Sequence, residues 1–193
     1  MPVLLIFQLI KHHKMKYFIL FFLLSFNFSF AVQNANLPKN VAIKLEKVLK
    51  DHFKDSFKTK EKLSFEADTK QHVKLNHEDD ILFKIKDINS NTVGFAYLGK
   101  AKSKIDLFDY VVIFDKNLVI AQVKVIIYRE DHGHEISSKR WLQQFLGFEK
   151  NQEIIYKKDI AGISGATISA TSLTLAVNNV LKSVGKLYQL KKI

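Results

Sequence analysis

The sequence predicts an α+β fold, a mainly antiparallel twisted sheet flanked by helices. Three observations predict it. Between residues 81 and 130, four runs rich in β-branched and aromatic residues alternate with period two and are separated by turn formers. The stretch from Val41 to Phe53 repeats apolar residues at helical spacing, and a second such stripe runs through the C-terminal segment.

The elements are read from the N-terminus. Residues 1–31 read as a leader with a signal peptide: Lys16 precedes "YFILFFLLSFNFSFAVQ", whose small residues Ser29 and Ala31 lie two apart and place the cut after Ala31. Met15 with Lys16 makes a better charged start than the residues before it, so the true start is also read at Met15. The competing reading is an uncleaved anchor, for which the unbroken apolar part, Tyr17 to Phe26, is shorter than the roughly 20 residues a span needs. Export, to the periplasm or the outer face of the cytoplasmic membrane, is the expectation.

Residues 32–80 read as an N-terminal helix with a connecting segment. Val41, Leu45, Val48, Leu49 and His52 or Phe53 form its stripe at helical spacing, with Pro38 just ahead, where proline is tolerated. The charged, weakly periodic residues 60–80 are expected to be mostly loop.

Residues 81–193 read as the main domain. The runs "ILFKIKDI", "TVGFAYLGKA", "FDYVVIFD" and "LVIAQVKVIIYRE" suggest a four-stranded meander, with turns at Asn89-Ser90-Asn91 and Asp115-Lys116-Asn117. In the last run Val119, Ala121, Val123, Val125 and Ile127 are expected on the core face, with Gln122 and Lys124 outward. A short helix, capped by Ser137 or Ser138, carries Trp141, Leu142, Phe145 and Leu146 to a stop at Gly147. The final helix aligns Leu173, Val177, Val180, Leu181 and Val184.

Composition narrows the function classes. The chain has 193 residues, room for one ordinary domain, and no cysteine, which excludes disulfides, thiolate metal sites and a thiol nucleophile. Its formal net charge is +11; with Lys11, Lys14 and Lys16 assigned to the leader, 27 basic residues face 19 acidic ones. The lysines are dispersed, which suits a solvated basic surface near anionic envelopes and not a nucleic-acid footprint. No nucleic-acid partner is expected, and the domain is expected to be a monomer.

The candidate site lies in "GISGATISATSLTLAVNNVL", residues 162–181. A helix N-terminus has N–H groups without internal partners and a partial positive charge, which suits an anion, above all phosphate. Gly162 and Gly165 permit close backbone approach, Ala166 adds little bulk, and Ser164, Thr167, Ser169, Thr171 and Ser172 offer five hydroxyls where one cap needs one. A merely capped helix, in a cofactor-free binding domain of the envelope, remains the alternative. A serine hydrolase using Ser164 is another, although the nucleophile elbow requires glycine two residues after the serine and Ala166 stands there.

"SGATIS" with its following helix resembles the covalent flavin-attachment motif of the FMN-binding domain family, which includes the C subunit of the sodium-pumping NADH:quinone reductase and the G subunit of the Rnf complex. The stretches "FDYVVIFD", "VKVIIYREDHGHEI" and "SKRWLQQFLG" extend the resemblance over about residues 90 to 185. It implies an attachment turn at the N-terminus of the C-terminal helix, with FMN held covalently by a phosphoester on Thr167. It further implies maturation by a magnesium-dependent flavin transferase with FAD as donor, and a membrane redox partner. On this reading Ser164, Gly165, Ala166, Ile168 and Ser169 surround the cofactor, His134 and Glu135 bound its pocket, and Arg140 assists with its phosphate. The chain is then an electron carrier more than an independent enzyme. One position departs from the family pattern: Ala161 stands where an aspartate is common, three residues before the serine, with Asp159 two residues earlier.

His132, His134 and Glu135 also invite a metal reading. In an extended segment the two histidines would share a side and Glu135 would face away, so a metal would need further ligands from elsewhere. No metal is expected. Trp141, at helical spacing with Phe145, is expected in the core.

Overall fold

The computed structural model describes residues 37–73 and 76–193, and the leader lies outside the described residues. Helix α1 (Lys39–Phe53) buries Val41, Leu45, Val48 and Leu49 of the expected stripe, while His52 and Phe53 at its end are half-buried. Pro38 occupies its N-cap, so the missing N–H costs nothing there.

The sheet is a five-stranded antiparallel meander in the order β1-β2-β3-β4-β5. The strands are β1 (Thr59–Lys62), β2 (Ile81–Lys86), β3 (Thr92–Lys102), β4 (Leu107–Asp115) and β5 (Ile120–Ile127). The four expected strands are present, and a fifth is added at the edge. Strand β1 arises from the segment expected to be loop, because its sequence "TKEK" carries no apolar alternation. What places it is backbone pairing from Thr59↔Lys86 to Lys62↔Phe83, with Lys86 paired to Glu61 at 2.7 Å. A short, lysine-bearing edge strand also discourages pairing with a further chain. Helix α2 (Ala67–His72) then packs towards the C-terminal helix.

The β2–β3 and β4–β5 turns are each built by an aspartate gathering backbone donors. Asp87 Oδ1 accepts from Asn89 N and Asn91 N at 2.9 and 2.8 Å, and Asp115 Oδ1 accepts from Asn117 N and Val119 N at 2.8 and 2.9 Å.

The sheet is covered on both faces. Phe95, Tyr97, Phe108, Tyr110, Val112 and Phe114 form the main core with the C-terminal helix α4 (Thr167–Gln189), which buries Leu173, Val177, Val180, Leu181 and Val184. The alternate residues, among them Ala96, Leu98, Val111 and Ile113, are also buried and face α1. This second layer corrects one expectation: Gln122 is not outward in solvent but half-buried, its Oε1 2.9 Å from His52 Nδ1 on α1. On β5, Ile120, Val123 and Val125 enter the main core, and a register irregularity at Ile113/Phe114 shifts the alternation. Val119, Ala121 and Ile127 are only half-buried.

Between β5 and α4 the chain runs through a 3₁₀ turn (His134–Ser137), helix α3 (Lys139–Leu142) and a second 3₁₀ turn (Gln143–Phe145). Ser138 is the N-cap of α3, without a side-chain cap bond. Trp141, Leu142 and Phe145 are buried, whereas Leu146 stays exposed. The following segment covers part of the free edge of β5, with Ile120 N donating to Phe148 O at 2.8 Å and Gly147 N to Ile120 O at 2.9 Å. It is then pinned to α4 by Asn178, which accepts from Ile154 N and donates to Ile154 O, both at 2.8 Å. Residues 38–193 form one compact unit.

Candidate functional site

The segment before α4 is held from below. Trp141 Nε1 donates to Ala161 O at 2.7 Å, and Ala161 N donates to Gln144 Oε1 at 2.8 Å. Trp141 thus packs edge-on against Phe145, at 5.2 Å between centroids, while its one polar atom fixes the approach to the turn. Asp159 is turned to a local task, its Oδ2 accepting from Ile155 N at 2.8 Å.

The chain then turns at Ser164-Gly165, where Gly165 has φ +82°, and enters α4 through Ala166 as N-cap. A left-handed conformation favours glycine there. Ala166 supplies no side-chain cap, so the first N–H groups of α4 have no side-chain acceptor. A 23-residue helix therefore begins with its partial positive charge uncapped.

The structure sorts the five hydroxyls. Ser169 is buried and pairs with Tyr128 Oη at 3.0 Å. Thr171 donates back to Thr167 O at 2.9 Å, and Ser172 accepts from Lys102 N at 2.9 Å, tying α4 to the end of β3. Ser164 and Thr167 are left exposed, Thr167 with a 3.2 Å bond from its Oγ1 to Ile163 O. Ser169 and Ser172 are thus tied to other elements, whereas Ser164, Thr167 and Thr171 are exposed, the two threonines each bonded to a carbonyl four residues back.

Thr167 opens on a cleft of about 620 Å³ lined by Gly165, Ala166, Thr167, Ile168 and Ser169 on one side and by Lys104, Ile105, Asp106 and residues 128–132 on the other. Lys104, Arg129 and His132 bring basic groups; Asp106, Glu130 and Asp131 bring acidic ones. Arg129 is fixed by Asp109 at 2.5 Å and by Leu107 O at 2.6 Å. Glu130 Oε1 accepts from Ile105 N at 2.7 Å, from Asp106 N at 3.2 Å and from the Ser103 hydroxyl. These donors, the Ile105 amide foremost, hold its carboxyl below the ordinary value of 4.5.

The residues expected to flank the site divide. Glu135 reaches towards Gly165, its Oε2 lying 3.9 Å from where a β-carbon on Gly165 would stand. His134 packs edge-on against Tyr128 at 5.3 Å. Neither lines the cleft itself, and Arg140 is exposed on α3, away from the cleft lining. The segment holding them is not extended: Gly133 at φ +85° starts the 3₁₀ turn, so strand alternation does not apply to His132, His134 and Glu135. Among the described residues, no three His, Asp or Glu side chains group as a metal site.

Sequence reasoning missed Tyr128, Lys104, Ile105, Arg129 and Glu130 as cleft residues. Tyr128, Arg129 and Glu130 sit at the end of the β5 run and read there as strand; Lys104 and Ile105 sit in a hairpin turn whose neighbour in space is set only by the sheet register.

The family model described as "FMN-binding domain" matches residues 102–182, a span that includes both walls of the cleft and the turn. The crystal structure of NqrC from Shewanella oneidensis superposes with a TM-score of 0.52 at 14% identity, covering 75% of this chain and 88% of that one, so the two share a fold. No curated protein sequence matches. Residues 102–182, a span that coincides with the cleft and the uncapped helix that opens on it, thus match the FMN-binding domain family, and the fold around them is that of NqrC.

Proposed function

We propose that this protein carries FMN covalently, through a phosphoester on Thr167, and that it is an exported electron carrier of the cell envelope. The single observation that supports Thr167 most directly is its setting: an exposed hydroxyl on the first residue of an uncapped helix, at the mouth of the cleft. The site also suits the group chemically. A phosphodiester keeps one negative charge, which the first N–H groups of α4 and the Lys104 ammonium can meet.

In maturation, Thr167 Oγ1 forms its bond to the phosphorus of the FMN half of FAD, AMP departs, and the threonine proton leaves with a base of the transferase. When bound, the flavin supplies reversible electron transfer, and the tether keeps the carrier loaded outside the cytoplasm, where no FMN pool replaces it. Gly165 lets the backbone turn with no side chain at the helix mouth, where a phosphate would be held, and Tyr128 would keep Ser169 from competing as acceptor. Export rests on the leader sequence, and a membrane redox partner on the family resemblance; among the described residues no helix is long and apolar enough to cross a membrane.

A serine-hydrolase reading of Ser164 would need a histidine bonded to it, and none of the hydrogen bonds among the described residues provides one. The experiment is co-production with a flavin transferase followed by denaturation and gel filtration. Flavin absorbance that travels with the unfolded chain supports the proposal; colourless protein contradicts it.

A further inference from the structure

The cleft has two apolar lips that nothing in the fold uses. Ile105 is 83% exposed and Ile168 is 53% exposed, and both line the cleft at Thr167 from different elements. Ile105 stands in the four-residue turn between β3 and β4, a place where Gly, Asn or Asp is the usual choice. Solitary exposed apolar residues need no explanation, but two on the lining of one cleft mark a ligand surface.

The turn bearing Ile105 is also held more firmly than a hairpin needs. Strands β3 and β4 are already paired out to Lys102↔Leu107. Beyond that pair, Glu130 from the end of β5 gathers the amides of Ile105 and Asp106 and the hydroxyl of Ser103, while Ser103 N donates to Asp106 O at 2.8 Å. Ser103 is buried and Ile105 is not, so the bonds tie the turn down and leave its one apolar side chain exposed on the cleft lining. One carboxylate with three donors from a single turn fixes where Ile105 stands.

We propose that Ile105 and Ile168 are the two jaws of an apolar clamp on the isoalloxazine ring, and that Glu130 is a positioning residue that sets the Ile105 jaw. This rests on the reading of Thr167 as the attachment point. Ile168 follows Thr167 directly, so a tethered flavin has one jaw at its anchor and meets the other across the cleft. The clamp orders the ring and excludes water from its faces, leaving its edge open to an electron-transfer partner.

The test uses the flavin-loaded protein and reads the ring itself, per bound flavin, so that incomplete loading does not enter. Visible-region circular dichroism reports an ordered ring, and time-resolved flavin anisotropy reports its local motion. Wild type is expected to show strong visible dichroism and anisotropy that decays only with protein tumbling. Ile105→Ala is expected to lose dichroism towards that of free FMN and to gain a fast anisotropy component. Glu130→Ala should do the same, Glu130→Gln, which keeps an acceptor oxygen, should stay near wild type, and the Ile105→Ala/Glu130→Ala double variant should be no worse than either single one. Ile88→Ala, an exposed isoleucine in the β2–β3 turn, is the control and should change nothing. Unchanged spectra in Ile105→Ala and Glu130→Ala, with flavin attached by mass, overturn the clamp and leave the attachment standing. Absence of flavin from Thr167 in wild type overturns the attachment, and the clamp with it.

Discussion

The indole of Trp141 donates to the carbonyl of Ala161 at 2.7 Å, three residues before Ser164 of the turn that opens α4. Because Gln144 also receives the Ala161 amide, the position where the family commonly has an aspartate is held by its backbone on both sides. Trp141→Phe keeps the packing on Phe145 and removes the donor. It is expected to cost about 1 kcal/mol in urea denaturation, the typical worth of a partly buried hydrogen bond, and to slow flavin loading without unfolding the domain.

Gly133 sits at φ +85°, and a β-carbon there would stand 2.7 Å from Tyr128 Oη. Gly133→Ala therefore adds backbone strain and pushes Tyr128 off Ser169. The expected loss is about 1–3 kcal/mol, together with a change in the Tyr128 and Ser169 resonances that marks the rearranged cleft wall.

Asn178 satisfies both backbone groups of Ile154 from inside α4. Asn178→Ala leaves a buried N–H and a buried C=O unpaired, so about 2–4 kcal/mol of stability should be lost. Amide exchange at Ile154 should accelerate well before exchange in the strands does.

Asp80 accepts from His77 N at 2.9 Å, Lys100 N at 3.1 Å and the Tyr97 hydroxyl, in a network that continues through Asn76 to Tyr110 and to Asn179 on α4. Burial raises its carboxyl above the ordinary 3.8, against those hydrogen bonds, which act to lower it. A raised acid binds its proton more tightly when folded, so its favourable contribution is full below 3.8 and is lost as pH rises through the folded value. Asp80→Asn cannot titrate. The stability difference, Asp80→Asn minus wild type, should therefore rise with pH just above 3.8 and then level off, which paired urea titrations measure.

The parts of this fold that sequence reveals are those with strong local periodicity. Helix α1 announces itself through Val41, Leu45, Val48 and Leu49, and β2 to β5 through alternating apolar runs between aspartate- and asparagine-bearing turns. Strand β1 has no such pattern, since a polar edge strand is specified by the partner it pairs with. The placing of Gln122 under α1 was hidden for a similar reason: alternation tells which residues share a face and not whether a helix covers it. At the site, the turn and its hydroxyls were readable from Ser164 to Ser172, because glycine and hydroxyl clusters before an apolar stripe are a local signal. Which hydroxyls were already engaged was not readable, since Tyr128 and Lys102 reach Ser169 and Ser172 only through the tertiary fold. The opposite wall, from Lys104 to Asp106, was missed on the same ground.

The most direct test of the central claim is the intact mass of the protein and of Thr167→Val, each co-produced with a flavin transferase and unfolded before measurement. Thr167→Val removes one exposed hydroxyl, bonded only to Ile163 O, and should cost less than about 1 kcal/mol, so the variant remains folded. The account predicts that wild type gains the mass of one FMN less one water and that Thr167→Val gains nothing. An unmodified wild type, or a Thr167→Val chain carrying the same added mass, would contradict it.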